Sequence, residues 1–193
     1  MHRFSVTAAL LIAGCILLFL RHSTSAQEGS GSSRASPPRA TRPMTPDEFY
    51  QAFWKFINKQ DAPYKNWGAL PGKKGPRDSK EPHGDSIQTF ANKIATDNPA
   101  TLPYGSILVT ENYDKDKKLK DISVMYRSKG ADPQHGDWYW LKYRSDGSIA
   151  RTSEKEGQKA IAGKVASCIE CHSKAEGKDL VYSNDPEKGA EEK

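Results

Sequence analysis

The chain has 193 residues, 36% hydrophobic and 9% aromatic, and its 29 basic and 24 acidic side chains leave a formal charge of +5. That apolar content suits one modest core, and the charges are interspersed rather than clustered, which excludes a nucleic-acid footprint. Only three cysteines are present, too few for the disulfide framework of a small exported scaffold.

Met1-His2-Arg3 is a short basic start, and the seventeen residues from Phe4 to Leu20 are almost wholly apolar. Arg21 to Ala26 then ends in small residues resembling an A-x-A cleavage site, which predicts a secretory signal over residues 1–26. Two anchored alternatives stand beside it. Ile12-Ala13-Gly14-Cys15 matches a box for a lipidated Cys15, against which the apolar run from Ile16 to Leu20 argues. An uncleaved stretch of this length could also just span a bilayer. In each case the body of the protein is exported, periplasmic or secreted. Cleavage removes Arg3 and Arg21, leaving 27 basic against 24 acidic side chains, a charge of +3. A weakly basic surface of this kind could dock an acidic redox partner, though a merely solvated face explains it as well.

Residues 27–44 are rich in Ser, Gly, Pro, Arg and Ala and read as a flexible linker. The folded domain, expected over 45–183, opens at Thr45-Pro46-Asp47-Glu48, a capping box with Pro at the first helical position. Phe49, Phe53, Phe56 and Ile57 follow at helical spacing, so one face of a helix reaching about Lys59 packs into a core. Four short strands are expected at Ser86–Asn92, Ser106–Asn112, Asp121–Ser128 and Trp138–Tyr143, and a further one at Ser148–Thr152. Asn112 to Lys120, with alternating Asp and Lys, reads as a hairpin connection. Trp138 and Trp140 alternate with Tyr139 and Leu141, so both faces of that strand are expected to be covered. Tight connections favour an antiparallel sheet, and Ala160–His172 is helix-compatible. The charged segment 184–193 lacks apolar anchors and is expected to fray.

Near the end of that domain stands Cys168-Ile169-Glu170-Cys171-His172. Two thiols at this spacing can each add across a vinyl group of one haem, and the next histidine becomes the proximal iron ligand. The competing readings fare worse. A zinc site lacks a second Cys pair, and a thioredoxin-like redox pair belongs near the start of a βαβ unit. One covalently attached haem c is therefore expected.

A mostly β chain with this motif near its C-terminus resembles the cytochrome P-460 domain, which includes the cytochromes c′-beta. The resemblance rests on Tyr64, Trp67, Pro71-Gly72, Pro82-His83-Gly84, Asn92 and Ala95, then Pro103-Tyr104-Gly105-Ser106-Ile107 and Val124-Met125-Tyr126. It continues through Gly136-Asp137-Trp138-Tyr139-Trp140, Tyr143-Arg144-Ser145-Asp146-Gly147, the haem motif and Asp179-Leu180-Val181-Tyr182. It implies an α+β fold, mainly an antiparallel sheet of about five strands with flanking helices, a homodimer, and a haem c with an open distal site.

Hydroxylamine-oxidising members of that family tie a lysine to the macrocycle from a segment reading roughly Val-Lys-Glu. Here Leu108-Val109-Thr110-Glu111 puts Thr110 at that position, which speaks against hydroxylamine oxidation. Gas-binding relatives line the distal face with apolar aromatics, admitting NO or CO, and Phe90, Tyr126, Tyr139 and Trp140 are the candidates for that lining. His83 follows the irregular stretch from Pro71 to Pro82 and is either a distal ligand, a proton donor or a buried hydrogen-bonding residue. His135 in a polar turn reads as solvated, and Met125 as core or as a thioether ligand. Two functions follow: a five-coordinate haem protein binding NO or handling small nitrogen compounds, and a six-coordinate electron carrier using His83 or Met125.

Overall fold

The computed structural model describes residues 43–176 and 179–182; the expected signal segment, nearly all of the linker and the charged tail lie outside them. The first helix, α1 (Pro46–Ile57), starts where the capping box predicts. Thr45 Oγ1 accepts from the Glu48 amide at 3.3 Å, and Glu48 accepts from the Thr45 amide at 2.9 Å. Tyr50, Phe53 and Ile57 form its buried stripe. Phe56 departs from the expected core face: it lies roughly a quarter turn from that stripe and is 59% exposed.

Six antiparallel strands follow in chain order across one sheet: β1 (Pro76–Asp78), β2 (Ser86–Ala91), β3 (Ile107–Tyr113), β4 (Leu119–Arg127), β5 (Trp138–Arg144) and β6 (Ala162–Gly163). The fold is α+β, with six strands where about five were expected. The additions are the two edges, β1 and β6, only three and two residues long, and such short edges resist pairing with other chains. The strand expected at Ser148–Thr152 does not form. After the Asp146-Gly147 turn the chain makes only isolated bridges, Tyr143 to Ile149 and Arg151 to Ala160. The helix expected from Ala160 begins later, as α3 (Ala166–His172), because β6 uses the residues before it. A short helix, α2 (Lys93–Asp97), was not anticipated. Asn92 caps it, accepting from the amides of Ala95 and Ile107, each at 3.1 Å. Among the described residues no helix is long and apolar enough to cross a membrane.

Strand alternation divides the buried side chains between two faces. On one, Phe90, Ile107, Val109, Ile122, Val124, Leu141 and Tyr143 pack against α1 and Tyr64. On the other, Ala91, Leu108, Met125, Trp138 and Trp140 pack against Val181, Cys168 and Ile169. Both faces of β5 are thus covered, as its alternating aromatics imply.

Candidate haem site

The second face carries the Cys-x-x-Cys-His motif, and its strand register arranges the side chains beneath in three cross-strand rows. The row beneath the α3 side is apolar: Ala91, Leu108, Met125 and Trp140. The middle row is short and polar, Thr89, Thr110 and Ser123, ending at Lys142. The third holds Ile87, Asn112, Asp121 and Arg144.

His172, the last residue of α3, lies on the apolar row, its ring centre 4.7 Å from that of Trp140 and 5.7 Å from that of Tyr182. Its Nδ1 is 2.7 Å from the Leu180 carbonyl oxygen. A carbonyl can only accept, so Nδ1 carries the proton and Nε2 the lone pair, the tautomer a metal requires. Burial pushes the imidazolium pKa down, against the opposing pull of the Leu180 bond, which favours the neutral ring. Cys168 is half-buried, and burial raises its thiol pKa. Cys171 is exposed, and its carbonyl accepts from the Tyr182 hydroxyl at 2.7 Å.

The Leu180 carbonyl is itself held. Asp179 accepts from the Leu102 amide at 2.8 Å and from Arg127 Nη1 at 2.6 Å, while its carbonyl accepts from Trp138 Nε1 at 2.7 Å. Arg127 also donates to the carbonyls of Gly136 and Leu102. Leu180 then adopts φ +58°, a left-handed conformation costly for a branched aliphatic residue and kept only where its surroundings impose it.

His83 reaches the same face from the loop before β2. Gly84 makes this possible: at φ +84° it passes so close to β3 that a Cβ there would stand 2.5 Å from the Tyr113 carbonyl oxygen. His83 Nδ1 is 3.0 Å from Asn112 Oδ1. The Asn112 amide is oriented by its other partners, since Nδ2 donates to Asp121 Oδ1 at 2.5 Å and to Ser123 Oγ at 2.9 Å. Asp121 in turn pairs with Lys142 at 3.0 Å. The ring centres of His83 and His172 are 6.2 Å apart.

Thr110 and Met125 also lie on this face, Thr110 hydrogen-bonded to Thr89 at 3.1 Å and Met125 buried in the apolar cluster. The other suggested lining residues do not. Phe90, Tyr126 and Tyr139 have the opposite parity and pack on the α1 side, Phe90 against Tyr64 and Tyr126 against Phe53. His135 is not simply solvated; it is hydrogen-bonded to the buried Asp132 at 2.8 Å. Sequence reasoning missed Asn112, Asp121, Asp179 and Leu180. Asn112 had a visible signal, being two residues beyond Thr110 on the same strand and so on the same face, whereas Asp179 and Leu180 stood out only within the stretch that carries the family resemblance, with no role attached.

No curated protein matches the chain, whereas the family model Cytochrome P460 matches residues 61–183. That family implies a haem cofactor, and the residues present fit one. The His172 imidazole lies against the buried Trp140 indole, Cys168 packs on the same cluster and Cys171 is exposed one turn on, and no acceptor among the described residues reaches Trp140 Nε1. With residues 61–183 matched, nearly the whole of the described domain after α1, the chain belongs to the cytochrome P460 family.

Proposed function

We propose that the protein is an exported mono-haem c-type cytochrome that handles nitric oxide or a related small nitrogen compound. In this reading Cys168 and Cys171 hold the haem by thioethers, and His172 Nε2 is the proximal iron ligand. When bound, the haem supplies an iron centre for small ligands such as NO or CO. The chain's own residues do the rest. The Leu180 carbonyl fixes the His172 tautomer and raises its basicity, and Trp140 and Tyr182 flank the ring. The apolar row of Leu108, Met125 and Trp140 keeps water from that side.

The observation that carries this reading is the His172–Leu180 hydrogen bond. A Cys pair serving only as a disulfide has no use for an adjacent histidine held in the metal-binding tautomer. The test is acid-acetone extraction of the denatured full-length protein, made in a host that attaches haem c. Colour is expected to stay with wild type and to be lost from the Cys168→Ser, Cys171→Ser double variant. Complete extraction from wild type would refute covalent attachment. His172→Ala should keep the thioethers but lose the proximal ligand, seen as an altered absorption spectrum.

Thr110 makes a second expectation. Its hydroxyl engages Thr89 and cannot form the lysine cross-link of hydroxylamine-oxidising relatives. Peptide mass spectrometry should find haem on the peptide containing Cys168 to His172 and on no other. The absorption should lack the red shift that gives the family its name, and hydroxylamine turnover should be slow or nil. A lysine peptide joined to the haem would overturn this.

The reading includes signal cleavage after Ala26, a homodimer and a redox protein partner; N-terminal sequencing of mature protein tests the first. A six-coordinate electron carrier is the second reading, favoured by one observation, the imidazole of His83 beside that of His172.

A further inference from the structure

We infer that His83 is the second axial ligand of the iron in the resting protein, so that NO or CO binds by displacing it. The inference rests on the reading that His172 carries a covalent haem, and it departs from an open distal site.

Three observations support it. The first is chemical posture. Asp121, paired with Lys142, can only accept, so the Asn112 amide nitrogen must face it and Oδ1 must face His83. His83 therefore carries its proton on Nδ1 and its lone pair on Nε2, the same tautomer that Leu180 imposes on His172. Both imidazoles are held as metal ligands usually are, with one nitrogen bonded to an acceptor and the other bearing a lone pair.

The second is spacing. Two metal–imidazole bonds of about 2 Å each, plus the distance from each nitrogen to its ring centre, nearly account for the 6.2 Å between the ring centres. The third is the floor between them. His172 lies on the row of Trp140 and Met125, and His83 is bonded into the row of Asn112 and Asp121. The row between carries the short side chains Thr110 and Ser123 and ends at Lys142, which is drawn to Asp121 on the third row.

Met125 is the other thioether or imidazole donor on this face. It is buried within the Leu108, Trp138 and Trp140 cluster on the same row that lies under His172, not across the middle row from it. His83 is thus the better placed of the two.

The experiment uses full-length holoprotein whose covalent haem has first been confirmed by extraction, which separates failure of the parent reading from failure of this one. Ferric and ferrous wild type should be low-spin, with electron paramagnetic resonance and near-infrared magnetic circular dichroism signatures of two imidazoles. His83→Ala should become high-spin and return to low-spin on adding free imidazole. The observed rate constant of CO binding should level off with rising CO concentration in wild type, because His83 must leave first, and should rise linearly with it in the variant. If His83→Ala does not fold, the wild-type spectra decide alone. A high-spin wild type, or a signature of imidazole with thioether, overturns the inference.

Discussion

Asp179→Ala should lower stability by about 3–5 kcal/mol, the usual cost of removing one partner from a buried ion pair. The Asp179 side chain is 4% exposed and the Arg127 side chain 19%. Alanine would leave the guanidinium without its carboxylate and the Leu102 amide without its acceptor. In a domain of this size that loss corresponds to a fall in melting temperature of roughly 10 °C. A structural account would stop there, but the position of Asp179 adds a second effect. The next carbonyl, that of Leu180, orients His172, and the left-handed Leu180 backbone persists only while its neighbours pin it. The variant should therefore also change the reduction potential or spin state of bound haem. Asp179→Asn keeps the shape and one acceptor oxygen but turns an amide nitrogen or a neutral oxygen toward Arg127, and should fall between. A variant that melts early with unaltered haem spectra would show that Asp179 supports the fold without positioning His172.

The parts of this architecture visible in the sequence are those fixed by local rules. The capping box starts α1 and alternation marks β2 to β5, while the Cys168–His172 spacing is the signal on which the proposed haem attachment rests. What escaped depends on partners distant in the chain. Pro76-Arg77-Asp78 has no apolar pattern and is a strand only because β2 pairs with it, and Ala162-Gly163 is held in the same way by β5. Asp179 meets Leu102 and Arg127 across 77 and 52 residues, a pairing that no local signal encodes. The aromatic candidates divide for a related reason. Phe90 and Tyr126 are as apolar as Trp140, yet only pairing register decides which face each joins. His83 was visible as a rare histidine after a loop, but its orientation needed Asn112, Asp121 and Lys142 together.

Glu111 supplies the last expectation, because it lies between Thr110 and Asn112 and points to the opposite face. It is 3% exposed and accepts from Tyr64 at 2.7 Å, Tyr113 at 2.5 Å and Lys65 at 3.1 Å. Burial raises its pKa, but the hydrogen bonds from Tyr113, Tyr64 and Lys65 together outweigh burial and leave it below the ordinary carboxylate value. Burial, and after it the same carboxylate, raise Tyr113 to about 12 and push Tyr64 up as well. A depressed folded-state pKa means that the unfolded chain binds the proton more readily. Glu111 therefore contributes stability above its unfolded pKa of about 4.3, and that contribution is lost as pH falls through the lower folded value. Glu111→Gln should flatten this acid limb in urea unfolding at successive pH values; an unchanged slope would assign the acid sensitivity elsewhere. Glu111→Ala goes further, stranding the buried Tyr64 hydroxyl at a cost of about 1–3 kcal/mol. Its effect on the haem face should remain small while the β3 register holds. A slip by one residue would turn Thr110 and Asn112 away together, so any loosening of register in this variant should appear at once as a changed environment for His83.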